Sequence, residues 1–110
     1  MNLHHPSRED LDVSMVLHAL SDPHRLHIVK KLAEHGAEPC SCGGFGIDLT
    51  KSTLTHHFRV LREAGVITQR PAGTSKLNSL RREDLDARFP GLLDAVLAAI
   101  PAPPAAQVPV

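Results

Sequence analysis

Tryptophan and tyrosine are missing from this 110-residue chain, and phenylalanine occurs only as Phe45, Phe58 and Phe89. A domain of this size buries only about two thirds of its unfolded surface. With so few rings to fill a core, extra burial through self-association is expected. No apolar run approaches the roughly 18 to 20 residues needed to cross a bilayer, and the opening MNLHHPSRED lacks the charged-then-apolar order of a secretion signal. A cytoplasmic protein without a membrane partner is expected. Cysteine is nearly absent too: Cys40 and Cys42 stand one residue apart, where a mutual disulfide would be strained. In a reducing compartment they read as ligands or redox-active thiols rather than as a staple. Net charge is zero, which argues against a general polyanion binder.

The charge is unevenly spread, however. Residues 50–76 carry five cations, Lys51, Arg59, Arg62, Arg70 and Lys76, against Glu63 alone, whereas the first 22 residues set Arg8 against Glu9, Asp10, Asp12 and Asp22. Any polyanion would therefore meet the middle of the chain.

The length fits one domain. Residues 1–9 read as a flexible arm, residues 10–100 as the folded unit, and the proline-rich, uncharged residues 101–110 as a disordered tail. Leu11, Val13, Val16, Leu17 and Leu20 give a first helix over residues 10–20 one apolar stripe. Asp22 can cap a second helix that Pro23 opens and Gly36 ends. His24 and His27, three apart on it, read as surface histidines. Residues 38–46 hold a proline and three glycines, so any helix there should be short.

The segment KSTLTHHFRVLREAGVI is a strong helix pattern: Thr50 or Ser52 can cap it, Leu54, Phe58 and Leu61 fall on one face, and Gly65 stops it. Residues 66–70 and 76–80 read as strands joined by Pro71, Ala72, Gly73 and Thr74. Phe89, Leu92, Leu93, Val96, Leu97 and Ile100 mark a last helix that Pro90 can open. The expected fold is mainly α with one β-hairpin, a winged helix-turn-helix.

In that layout the third helix enters a major groove and the hairpin reaches the backbone or the minor groove. The helix-terminal amides favour phosphate. The short side chains of Thr50, Ser52, Thr53 and Thr55 let the helix approach base edges of double-stranded DNA. Lys51, Arg59, Arg70 and Lys76 would supply sequence-independent attraction through counterion release. Adjacent helical residues point about 100° apart, so His56 and His57 should do unlike jobs. His56, on the Ser52 side, is expected at DNA, and His57, beside the Leu54 and Phe58 stripe, is expected to pack inward.

These segments together resemble the ArsR/SmtB winged-helix metalloregulators of bacteria over residues 16–97. LHALSDPHRLHIVKKL resembles the entry to the family's second helix, KSTLTHHFRVLREAGVI its recognition helix and QRPAGTSKLNSL its wing. The resemblance implies a homodimer built on the first and last helices, residues 10–20 and 90–100. It further implies an inverted-repeat operator and repression altered by an effector. Cys40-Ser41-Cys42 resembles a Cys-x-Cys metal motif found just before the helix-turn-helix in one member. Two thiolates cannot complete a tetrahedral site, and His4 and His5 on the arm could add two ligands from the partner chain, as the family's arms do. Nickel, cobalt or zinc is the expected metal, and nickel or cobalt would suit a histidine-rich set, such as one using His18, His24, His27 or His35, better than arsenite, which prefers three thiolates. The family's second site, on the final helix, is absent: that helix offers Ala95, Ala98 and Ala99 where imidazoles are required.

Two further readings stay open. In one, the DNA-binding fold responds to thiol oxidation or to a regulatory protein partner without metal. In the other, the chain is a small thiol or metal enzyme. Cys-x-Cys lacks the redox motif's spacer and no phosphate loop is visible, so no catalytic residues are assigned.

Overall fold

The computed structural model describes residues 4–35, 49–73 and 75–100. Cys40, Cys42, the glycine-rich connection and the proline-rich tail lie outside them. After a 3-10 turn at Arg8–Asp10 come α1 (Val13–Ala19), α2 (Pro23–His35), α3 (Lys51–Ala64), the strands β1 (Ile67–Ala72) and β2 (Ser75–Leu80), then α4 (Arg82–Arg88) and α5 (Leu92–Ala99).

Local chemistry sets the boundaries. The first helix starts later than its apolar stripe suggests because Asp12 caps it, its carboxylate accepting from the Ser14 backbone N–H at 2.9 Å. Asp22 caps α2 in the same way, accepting from His24 N–H at 2.8 Å and Arg25 N–H at 3.2 Å. Thr50 rather than Ser52 caps α3. At its far end Gly65, with φ of 87°, closes a Schellman motif: its N–H reaches the Arg62 carbonyl at 3.0 Å, and Val66 N–H reaches that of Leu61 at 2.9 Å.

The strands pair antiparallel from Ile67↔Leu80 to Ala72↔Ser75, with Gly73 at φ 62° in the turn. Both run slightly longer than expected. Pro71 is tolerated because, among the described residues, β2 is the only strand beside β1, which leaves the far edge without a strand to bond. Two features depart from the expected outline. Helix α4 intervenes between the wing and the last helix, anchored by buried Leu85. Helix α5 opens at Leu92 after Gly91 at φ 83°, so Pro90 stands outside it.

Val16, Ala19, Ile28, Val29, Leu32, Leu61, Val66 and Ile67 form the centre of one core, with Leu85 and Leu93 closing it from the α4 and α5 side. Burial on this scale, at about 25 cal/mol per Å² of apolar surface, is what holds α1, α2, α3 and the hairpin base together. Val13, Met15 and Leu17 remain about half exposed on α1, and Leu92, Val96 and Leu97 of α5 are only partly buried against the core. No helix among the described residues is long and apolar enough to cross a membrane.

Candidate nucleic-acid interface

Helix α3 divides cleanly into two faces. His57, Phe58, Leu61, Arg62 and Ala64 are buried, while Ser52, Thr55, His56 and Arg59 are exposed. The spacing i, i+3, i+4, i+7 puts those four in one outward stripe. Thr50 and Lys51 extend it at the N-terminus, and both are exposed. Thr53 is half-buried and turns toward the cap: Thr50 Oγ1 accepts from its N–H at 3.2 Å and lies 2.8 Å from its Oγ1. Farther along, Arg59 Nη2 stands 3.4 Å from His56 Nδ1. Arg70 on β1 and Lys76 on β2 are exposed. The nine residues expected at DNA thus lie on α3, its cap and the wing, with Thr53 the least accessible.

His57 faces the opposite way, as its position beside the apolar stripe predicts. It is 7% exposed, and its Nδ1 lies 3.1 Å from Arg25 Nη1 on α2. A guanidinium only donates, so Nδ1 accepts and the ring is neutral in this arrangement. Arg25 also donates through Nε to the Ala19 carbonyl at 2.7 Å, so one side chain joins the end of α1, the start of α2 and the middle of α3. Burial pushes the His57 pKa down; Asp22 opposes this, and the charges of Arg25, His24 and His56 add to the lowering.

A second polar joint ties α3 to the wing. Arg62 Nη1 donates to Gln69 Oε1 at 2.9 Å, and Gln69 Nε2 donates to Asn78 Oδ1 at 2.9 Å, all three residues being buried. Arg62, counted by sequence among the cations of the basic segment, therefore faces inward. Sequence reasoning missed both joints. The available signal was a polar side chain at an inward strand position, since Gln69 shares a face with Ile67.

The arm is anchored from residue 5 onward. His5 Nε2 accepts from the Gln69 backbone N–H at 3.0 Å, Arg81 Nη1 donates to the Pro6 carbonyl at 2.7 Å, and Arg8 Nε pairs with Asp84 Oδ1 at 2.6 Å. Burial raises the Asp84 pKa, but hydrogen bonds and charge from Arg8 and Arg81 outweigh it and hold the carboxyl below the usual carboxylate range. His4 is exposed. Among the described residues no group of three or more His, Cys, Asp or Glu side chains is placed to hold a metal ion. His4 and His5 thus make no metal site by themselves, and the Cys40 and Cys42 half of the expected set lies outside the described residues.

Comparison with known proteins agrees with this geometry. A helix-turn-helix domain family matches residues 20–70, the span from the end of α1 through α3 into β1. An uncharacterised HTH-type transcriptional regulator of Bacillus subtilis, YceK, is 36% identical over 85 residues, which cover 76% of this chain and 84% of that protein. The arsenical resistance operon repressor of the same organism is 34% identical over 83 residues, covering 74% of each chain. The repressor of that name from Staphylococcus xylosus is 33% identical over 76 residues, 68% of this chain and 71% of its own. By its two-faced third helix, its wing and these relatives, the chain belongs to the ArsR family of helix-turn-helix transcriptional regulators.

Proposed function

We propose that the chain is a homodimeric repressor that binds an inverted-repeat operator in the cytoplasm and is controlled by an effector. The observation that carries the DNA reading is the outward stripe of Ser52, Thr55, His56 and Arg59 on a helix whose other face is buried. Hydroxyls and an imidazole offer donors and acceptors to base edges, while Lys51, Arg59, Arg70 and Lys76 supply phosphate contacts. Dimerisation through α1 and α5 is supported by the half-exposed Val13, Met15 and Leu17 and by the incompletely covered stripe of α5. Two recognition helices in a symmetric pair would address half-sites about one helical turn, roughly 34 Å, apart.

Duplexes selected from a random library, assayed by mobility shift at several salt concentrations, test this reading. Ser52→Ala is expected to change which base is preferred, whereas Arg70→Ala weakens binding to every sequence and lowers the salt slope by about one. Equal losses from both variants on selected and random DNA would reject this division of labour. A chain that stays monomeric in sedimentation and selects no duplex would reject the function.

For the effector, the Cys40-Ser41-Cys42 motif and the arsenical-resistance repressors among the relatives support a thiol-held metal or metalloid. Titration of the protein with Zn2+, Ni2+, Co2+ and arsenite, repeated with Cys40→Ser, decides the matter. Undiminished stoichiometric affinity in the variant would discard the thiol site, and thiol oxidation or a partner protein would then be the signal.

A further inference from the structure

The arm crosses the turn at Gly65 that leads from the recognition helix into the wing. Leu11 is 3% exposed and belongs to the core. It lies so close over Gly65, the end of α3, that a Cβ there would stand 2.1 Å from Leu11 Cδ2 and 3.1 Å from Pro6 Cγ. On the far side, Arg88 Nη1 donates to the carbonyls of Arg8 at 2.6 Å and Glu9 at 2.9 Å, and Arg8 pairs with Asp84. Arg81 joins the two sides. Its backbone N–H bonds to the Val66 carbonyl at 2.9 Å, and its guanidinium holds Pro6 and Asp84.

At the head of this path is His5. The Gln69 N–H that it receives points away from β2, along the edge of β1 that no described strand covers. A strand-edge donor left dry and unpaired is costly, so the bond ties the position of the arm to that of the strand. The same Gln69 receives Arg62 of α3 on its side chain and grips Asn78 of β2. One residue of the wing is thereby held at three points: by the arm, by the recognition helix and by the opposite strand.

We propose that residues 5–11 form a strap fixing the angle of the wing against the recognition helix. His5 is its positioning residue, acting on DNA affinity through Gln69 rather than by touching DNA. The proposal rests on the DNA-binding reading above. It separates the arm's job from any role in holding an effector, and it makes the wing's reach toward the duplex depend on a side chain 64 positions away in sequence.

The test uses the full chain and a duplex selected with the wild type. His5→Ala is expected to speed hydrogen exchange of the Gln69 amide and to weaken duplex binding about 3- to 10-fold, the scale set by one lost hydrogen bond. His5→Gln, whose Oε1 can take the place of Nε2, is expected to restore both. Arg88→Ala, which frees the other end of the strap, should weaken binding in the same direction. Unchanged Gln69 exchange in His5→Ala, or faster exchange with undiminished affinity, would overturn the strap while leaving DNA binding intact. Affinity restored by His5→Lys but not by His5→Gln would show direct phosphate contact and overturn it as well. A wild type that selects no duplex removes the DNA-binding reading instead.

Discussion

Replacing Gly65 by alanine tests the joint between α3 and the hairpin most directly, because two separate penalties meet at one atom. The backbone there has φ of 87°, a left-handed conformation that costs an L-residue roughly 1–2 kcal/mol. The added Cβ would also stand 2.1 Å from Leu11 Cδ2, and overpacking of this kind typically costs about 1–3 kcal/mol when side chains must shift. Together these predict a loss of roughly 2–5 kcal/mol out of the 5–15 kcal/mol usual for a domain. At about 4–8 °C per kcal/mol for a chain of this size, the melting temperature should fall by roughly 8 to 40 °C. Urea denaturation gives the free energy, and a double-mutant cycle with Leu11→Ala separates the two parts. Leu11→Ala alone removes core contacts at a cost of about 2–5 kcal/mol. It also removes the closer of the two obstacles over residue 65, so in that background Gly65→Ala should cost its conformational part and the milder approach of Pro6 Cγ at 3.1 Å. The double variant is then more stable than the sum of the singles by about 1–3 kcal/mol. A Gly65→Ala loss below about 0.5 kcal/mol, or strict additivity, would refute the close passage of the arm over the helix end.

Two further outcomes are expected. Because burial holds the folded His57 pKa below its ordinary value, the unfolded chain takes up this proton first. Stability should therefore decline as pH falls through about 6.5 and level off once the folded form is protonated too. His57→Asn, which keeps an acceptor for Arg25 near the Nδ1 position, should flatten that segment of the pH profile in urea titrations; an unaltered profile would assign the decline to other groups. Gln69→Leu removes the acceptor of Arg62 Nη1 and should cost more than about 1 kcal/mol, since a buried orphan costs roughly 1–3. Adding Arg62→Met should recover part of that loss, and no recovery would remove the charge from the account.

The two longest described helices were legible because caps and stops agreed with apolar spacing. Asp22 and Pro23 opened α2, and Gly65 closed α3. His57 was legible too, since it stands beside the apolar stripe of Leu54, Phe58 and Leu61. Helix α4 was not, because seven residues with a single buried apolar anchor, Leu85, carry no period to detect. Residues 5–9 looked like part of a loose arm for a related reason. What holds them is a set of hydrogen bonds to partners 60 or more positions away, such as Gln69, Arg81 and Arg88. No local spacing encodes a bond of that kind, and the polar residues of the arm looked merely solvated. The first helix shows the reverse error: Leu11 fits its apolar stripe, yet it lies before the Asp12 cap and reaches the core from outside the helix.

How the outward stripe of α3 is aimed follows from the kinds of contact behind it. Phe58, Leu61 and Ala64 pack on the core through dispersion, a non-directional attraction that each atom pair contributes only about 0.1–0.2 kcal/mol to. Such a face resists removal but tolerates small rotations. The guanidinium contacts Arg25–His57 and Arg62–Gln69 do not, because a hydrogen bond weakens steeply once its angle falls toward about 120°. One lies near the middle of the helix and looks toward α1 and α2; the other lies near its end and looks toward the wing. Two directional pins about a turn and a half apart fix rotation about the helix axis in a way that apolar packing alone does not. Ser52, Thr55, His56 and Arg59 are therefore presented at an angle set by residues on the opposite face. Any signal that moves α2 or the strap has a direct mechanical route to that stripe.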